Sequence, residues 1–261
     1  MIPKRSCAEQ DARPTARALA VLGLACLLAW PAGAATGEED SFARDRRQMV
    51  EKQLQPRGID SPGVLRAMER VPRHRFVSPA LERRAYGDWA LPIEEGQTIS
   101  QPYIVALMTQ LVELRGGERV LEVGTGSGYQ AAVLAEIVGK VYTIEILSGL
   151  AASAATRLRQ LGYTEVQVKA GDGYLGWPEA APFDAIIVTA GATHIPQPLI
   201  AQLAEGGRLV IPVGPASERQ ELILGRKTGA RLVTRVIAPV RFVPLVEPRR
   251  ACDRLPTHDT G

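Results

Sequence analysis

Leu121-Glu122-Val123-Gly124-Thr125-Gly126-Ser127-Gly128-Tyr129 is the stretch that decides how this chain folds. A short apolar run, residues 119–123, gives way to glycines at alternate positions, and a helical pattern over 130–138 follows. Glycines at a strand-to-helix turn let the backbone bend tightly and bring it close to a ligand at the helix N-terminus. Two ligand classes do not fit the spacing. A dinucleotide fingerprint requires Gly-x-Gly-x-x-Gly, and counting from Gly124 the last position is Tyr129. A phosphate loop ends in Gly-Lys-Ser/Thr, whereas Gly139-Lys140 is followed by Val141.

Downstream of this loop, strand-like and helix-like runs alternate. Residues 141–145 read as a strand, 150–161 as a helix, 166–168 and 183–188 as strands, 198–204 as a helix and 208–212 as a strand. Mostly apolar strands separated by helices predict an α/β fold with a doubly wound, mostly parallel, Rossmann-like sheet covered on both faces. The end of the chain reads differently. Residues 221–225, a turn at Lys227-Thr228-Gly229 and residues 232–246 predict an antiparallel strand pair closing that sheet. Upstream lie helices: 44–55, ended by Pro56-Arg57-Gly58, and a second opened by Asp60-Ser61-Pro62 with Val64, Leu65 and Met68 at helical spacing. An irregular, turn-rich stretch around 86–92 precedes Thr98-Ile99-Ser100-Gln101-Pro102 and a helix over 104–114.

Composition excludes other classes. The 261 residues are 46% hydrophobic and 23% charged, the balance of a globular protein, not a disordered or fibrous one. Lys and Arg exceed Asp and Glu by 31 to 28, a formal charge of +3 that implies no polyanion, so no nucleic-acid partner is expected. His74 and His194 have no cysteine, histidine or acid at metal-ligand spacing, so no metal is expected either.

The N-terminus is read apart from the fold. Lys4, Arg5, Arg13 and Arg17 precede an uncharged apolar run, 18–30, and then Pro31-Ala32-Gly33-Ala34. That order resembles a secretory signal cleaved near Ala34, and the run is shorter than the roughly 20 residues a membrane-spanning helix needs. Losing residues 1–34 would remove Cys7 and Cys26 and leave Cys252 without an internal disulfide partner. The expected organisation is a signal-like segment over 1–34, one domain over 42–248 and a loose tail over 249–261.

Two acids sit where a nucleotide-type ligand needs them. Glu145 ends the second strand, placed for both hydroxyls of a ribose, and Asp172, in Gly171-Asp172-Gly173-Tyr174, lies where an acid can accept from an adenine amino group. With Glu122 at its head, the glycine loop is similar to the S-adenosylmethionine (SAM) loop of class I methyltransferases. The segments 121–130, 182–190 and 240–246, with Gly96-Gln97-Thr98-Ile99-Ser100-Gln101-Pro102-Tyr103, narrow this further. From about Arg44 to Val246 the chain resembles the bacterial protein-L-isoaspartate O-methyltransferase family. The glycine loop is common to many methyltransferases, and the Thr-Ile-Ser-Gln-Pro segment is the family-specific part.

The resemblance implies methyl transfer from SAM to the free α-carboxylate of L-isoaspartyl residues in damaged proteins and peptides, a repair reaction. It makes Ser100 the active-site serine and gives the carboxylate pocket to Thr98, Ile99, Gln101 and Pro102. It assigns the donor site to Glu122, Gly124, Thr125, Gly126 and Ser127, with Glu145, Asp172 and Gly173 on ribose and adenine. The chemistry accounts for the lack of a catalytic triad. The donor is an activated sulfonium and a carboxylate is already anionic near neutral pH, so no strong base is needed. Alignment alone can contribute on the order of 7–11 kcal/mol. Ser100 is therefore expected to orient the acceptor, although a serine two residues before a proline also reads as a helix N-cap. Glu94-Glu95 stand where the family pattern leads one to expect glycine, and they are expected to face outward.

The family and its donor point to the cytoplasm, whereas residues 1–34 point to the periplasm. A monomer with no stable membrane association after processing is expected. The alternatives are a SAM-binding protein without catalysis and a methyltransferase of another acceptor on the same fold.

Overall fold

The computed structural model describes residues 37–215 and 217–246, so the signal-like segment 1–34, the tail 249–261 and Cys252 lie outside the described residues. Helix α1 (Gly37–Gln48) continues through a π turn, Met49–Leu54, into a short 3-10 turn that ends at Gly58. Helix α2 (Pro62–Arg70) carries proline at its start, where the missing N–H costs nothing. A two-stranded hairpin follows, β1 (Leu91–Pro92) and β2 (Thr98–Ile99), hydrogen-bonded to each other and outside the main sheet. Helix α3 (Pro102–Leu111) leads into that sheet.

The main sheet begins with β3 (Arg119–Val123), and α4 (Tyr129–Ala135), β4 (Lys140–Glu145), α5 (Ser148–Gln160) and β5 (Val166–Ala170) form the first half. The second half is β6 (Phe183–Val188), α6 (Gln197–Gln202), β7 (Leu203–Val213), β8 (Gln220–Thr228) and β9 (Arg231–Val240). Strand order is β5-β4-β3-β6-β7-β8-β9, parallel through β7 and antiparallel after it. The doubly wound parallel sheet with an antiparallel terminal pair is thus the observed architecture.

Burial explains the order. β3 and β6 are buried at nearly every position because helices cover both faces, while the edge strands β5 and β9 are largely half-buried or exposed. On α5 the buried residues Leu150, Ala151, Ala154 and Leu158 fall on one helical face. The chain winds outward in both directions from β3 and β6, which makes the C-terminal ends of these strands the switch point where such sheets bind ligands.

Two boundaries differ from the sequence reading. The helix over 198–204 is cut to Gln197–Gln202 because Leu203 pairs with Phe183, so β7 starts well before residue 208. Leu199 and Leu203 share helical spacing, but tertiary pairing claims the second for the sheet. The last strand ends at Val240 instead of running to 246. There Gln220 Oε1 accepts the Phe242 N–H at 2.8 Å, and the chain turns back so that Gly191 donates to Val243 O and Leu245 donates to Gly191 O, both at 2.8 Å. Residues 243–246 are thereby laid across the switch point.

Candidate active site

At that switch point the glycine loop is fixed from two sides. Gly124 and Thr125 donate their N–H groups to Ile144 O at 2.8 and 3.3 Å, and Gly126 donates to Glu145 Oε2 at 2.9 Å. From the other neighbour, Thr189 at the end of β6 donates its N–H to Val123 O at 2.8 Å and its hydroxyl to Gly124 O at 2.6 Å. Gly124 has φ +98°, and a Cβ there would lie 2.5 Å from the Thr189 hydroxyl oxygen, so both conformation and space demand glycine. Gly128, with φ +90°, would meet Leu158 of α5 at 3.2 Å and thus sets how closely that helix packs.

The two glutamates of the loop region have different surroundings. Glu145 accepts at one oxygen from Gly126 N–H and at the other from Leu147 N–H at 3.1 Å. A carboxylate has about four lone-pair sites, so each oxygen retains capacity for a hydroxyl from a ligand. Glu122 lies beside its cross-strand partner Thr143 on one face of the sheet and is fully buried. Thr143 donates to its Oε2 at 2.7 Å, and since the Thr143 proton is used there, Thr125, at 2.7 Å, donates to Thr143. Glu122 Oε1 has no partner. Burial pushes the Glu122 carboxyl up to about 8, the Thr143 hydrogen bond opposing and the Glu145 charge adding, so it is neutral at neutral pH.

Two cavities meet here. One, of about 150 Å³, lies on the glycine loop, with Glu122, Gly124, Thr125, Gly126, Ser127, Glu145 and Gly173 in its lining. Thr98 and Ile99 of β2 and residues 243–246 also line it. The other, of about 480 Å³, includes Gln101, Ile104, Arg219 and Arg241 in its lining and no acid. Thr98, Ser100, Thr189 and Val243 line both, so these four residues form the wall between them. Of the residues singled out from sequence, Pro102 and Asp172 line neither cavity. Pro102 is buried at the first turn of α3, and Asp172 accepts the Tyr174 N–H at 2.8 Å beside the cavity that Gly173 lines.

Ser100 does not cap a helix. The residue preceding α3 is Gln101, whose side chain makes no cap hydrogen bond. Asp88 supplies the cap from a distance: it accepts the Tyr103 N–H at 3.1 Å and the Gln101 side-chain amide at 2.6 Å, and it pairs with Arg57. The cap that the local sequence signal offers at the serine is therefore made by an acid from the irregular stretch, and Ser100 stands at the wall of both cavities. Glu94 and Glu95 are both exposed, as expected, and Glu94 pairs with Arg157.

Sequence reasoning did not single out Thr189, Arg219, Arg241, Asp88 or Arg157. A signal existed for Thr189, which directly follows an apolar central strand within the recognised 182–190 segment. The arginines and Asp88 look like ordinary surface charges until the fold brings them together. Among the described residues, no group of three or more His, Cys, Asp or Glu is placed to hold a metal ion, and no helix is long and apolar enough to cross a membrane.

A parallel sheet that winds both ways from a glycine loop, with a carboxylate ending the next strand and an antiparallel pair at its far edge, defines a class I SAM-dependent methyltransferase. The family described as Protein-L-isoaspartate(D-aspartate) O-methyltransferase (PCMT) matches residues 44–250, and the chain belongs to that family. A protein-L-isoaspartate O-methyltransferase of Opitutus terrae is 55% identical over 223 residues, 85% of this chain and 96% of that relative. One from Geotalea uraniireducens is 56% identical over 204 residues, 77% of this chain and 93% of the relative. Among solved structures, a protein-L-isoaspartate O-methyltransferase superposes with a TM-score of 0.71 at 33% identity, covering 77% of this chain and 66% of its own. Another, from Plasmodium falciparum and in complex with S-adenosyl-L-homocysteine, has a TM-score of 0.67 at 27% identity, covering 77% and 98%.

Proposed function

We propose that the two adjoining cavities are the donor and acceptor halves of the isoaspartyl methyltransferase site, with Ser100 at their junction. The chain is a SAM-dependent methyltransferase that esterifies the free α-carboxylate of L-isoaspartyl residues in damaged proteins and peptides. The single observation that carries the assignment of roles is the shared wall of Thr98, Ser100, Thr189 and Val243.

The residues present suit the donor. Glycine-loop backbone can approach it closely, Glu145 has acceptor capacity for a vicinal diol, and neutral Glu122 adds no charge beneath the loop. When bound, SAM supplies a methyl group on a positively charged sulfur. On the acceptor side, Arg219 and Arg241 give the larger cavity a positive lining that favours an anionic acceptor. The Ser100 hydroxyl, not spent on a helix cap, can donate to one carboxylate oxygen and leave the other as nucleophile. No proton has to be removed in the step, so holding the acceptor in line is the main task of the protein. Esterification makes the carboxyl a better leaving group for succinimide formation, the route back to the normal linkage.

The direct test is labelled methyl transfer to an isoaspartyl peptide beside its aspartyl isomer. Base-labile label on the isoaspartyl peptide alone is expected, and equal or absent labelling of the two overturns the reading. We place the reaction in the cytoplasm, where the donor is made, with the protein acting as a monomer. N-terminal sequencing of protein from its native host that began near Ala35 would overturn that location.

A further inference from the structure

The β1–β2 hairpin crosses over the glycine loop and the start of α5, touches each of them once, and is tied to both by an arginine of α5. Ile93 packs on Gly126, where a Cβ would lie 3.6 Å from Ile93 Cδ1. Glu95, held at φ 55°, sets a carboxylate oxygen against Gly149 in the first turn of α5, 2.5 Å from where a Cβ would be. Between them, Arg157 of α5 reaches both partners: one guanidinium nitrogen donates to Ser127 O at 2.9 Å, and the other pairs with Glu94 at 2.7 Å. The Arg157 side chain is only 18% exposed, and its charge-assisted bonds tie hairpin, glycine loop and α5 into one unit.

The hairpin is also the separable part of the roof. It is hydrogen-bonded to itself, not to the main sheet, and its Gln97, Thr98 and Ile99 line the glycine-loop cavity. That cavity, about 150 Å³, is smaller than the roughly 300–1,000 Å³ of ordinary small-molecule sites, so the placement of the hairpin that roofs it bears directly on entry and exit of a nucleoside-sized donor. Glu94 and Glu95 thus stand where glycine was expected from the family pattern, and one of them makes the ion pair.

The geometry points to Arg157 as a positioning residue whose pairing with Glu94 latches the β1–β2 hairpin over the donor cavity and governs release of the demethylated donor. This rests on the methyltransferase reading of the site. The latch retains the donor product and aligns the hairpin that carries the approach to Ser100. Its ion pair is partly exposed and therefore sensitive to salt.

The test is stopped-flow dissociation of S-adenosyl-L-homocysteine from the full chain at low and high ionic strength, with Glu94→Gln, Arg157→Gln and Arg157→Lys. In wild type the dissociation rate should rise with salt. Glu94→Gln, an exposed and structurally mild change, should release product about 3-fold faster at low salt and lose most of the salt dependence. Arg157→Gln, which also gives up the bond to Ser127 O, should release it about 10-fold faster, with Arg157→Lys recovering part of the loss. The KM for an isoaspartyl peptide should stay within about twofold in Glu94→Gln, a split that general destabilisation would not produce. A Glu94→Gln variant with wild-type release and wild-type salt response overturns the latch alone. A wild-type protein that binds no S-adenosyl-L-homocysteine overturns the methyltransferase reading and the latch with it.

Discussion

The proposed donor and acceptor halves of the site share a wall but are built by opposite strategies. The floor of the donor half comes from consecutive strand–helix units: the loop after β3, the end of β4 and the turn after β5, each bonded to the adjacent strand through backbone groups such as Gly124 N–H to Ile144 O. The acceptor half is assembled from places far apart in the chain. Ser100 comes from the segment after a small hairpin, Arg219 from the turn before β8, and Arg241 from the chain just beyond β9. Its supports are side chains, among them Asp88 capping α3 and Gln220 holding Phe242. The donor half is therefore part of the fold, and the acceptor half is mounted on it. Damage to the first should cost binding and stability together, whereas damage to the second should cost turnover with little effect on stability.

The largest expected effect is at Gly124. Gly124→Ala places a side chain at positive φ and against the Thr189 hydroxyl, a combined cost of about 3–5 kcal/mol. Calorimetry should show S-adenosyl-L-homocysteine affinity reduced by about 100-fold or more, together with a lowered melting temperature. Retention of wild-type affinity would break the contrast on the donor side.

Glu122 tests whether the donor half carries a stability cost of its own. In the unfolded chain its carboxyl ionises near the ordinary 4.5, but in the folded chain burial keeps it protonated to about 8. The stability this lends is fully present below the unfolded value and is lost as pH rises through the folded one. Glu122→Gln has no proton to lose, so its melting temperature should gain on wild type between those two pH values. The relative gain at the upper end is on the order of a few kcal/mol. Parallel melting profiles for the two proteins would mean that Glu122 is not held neutral.

Ser100 gives the smallest and most selective effect. Ser100→Ala should lower kcat by roughly 10-fold, about the worth of one hydrogen bond to a charged group, with donor affinity and melting temperature nearly unchanged. Unchanged turnover would remove the hydroxyl from the mechanism. Loss of donor affinity would show that the two halves are not separable.

The difference between the halves also explains what could be read in advance. Residues 119–123 and 183–188 are legible as strands to the residue because both are buried at nearly every position and are mostly apolar, interrupted only by Arg119, Glu122 and Asp184. The helix start at Pro62 was legible from the Ser-Pro signal. The ends of the helix expected over 198–204 and of the strand expected to reach 246 are not legible locally, because partners distant in sequence, Phe183 and Gly191, decide them. The competing cap signal at Ser100 is local, whereas the residue that caps α3, Asp88, lies upstream across a turn.

The sequence by itself determined the sheet, its glycine loop, the acid at the end of β4 and, through the 96–103 segment, the family. These are local matters: side-chain periodicity and backbone conformation are set by neighbours within a few residues. Only the tertiary structure decided that Thr189 closes the loop, that Arg219 and Arg241 meet at one cavity, that Ser100 is freed from capping and that Arg157 reaches Glu94. Each depends on which charged or polar group lies across a gap in space, and a side chain's identity carries no record of the distant partner that folding brings to it.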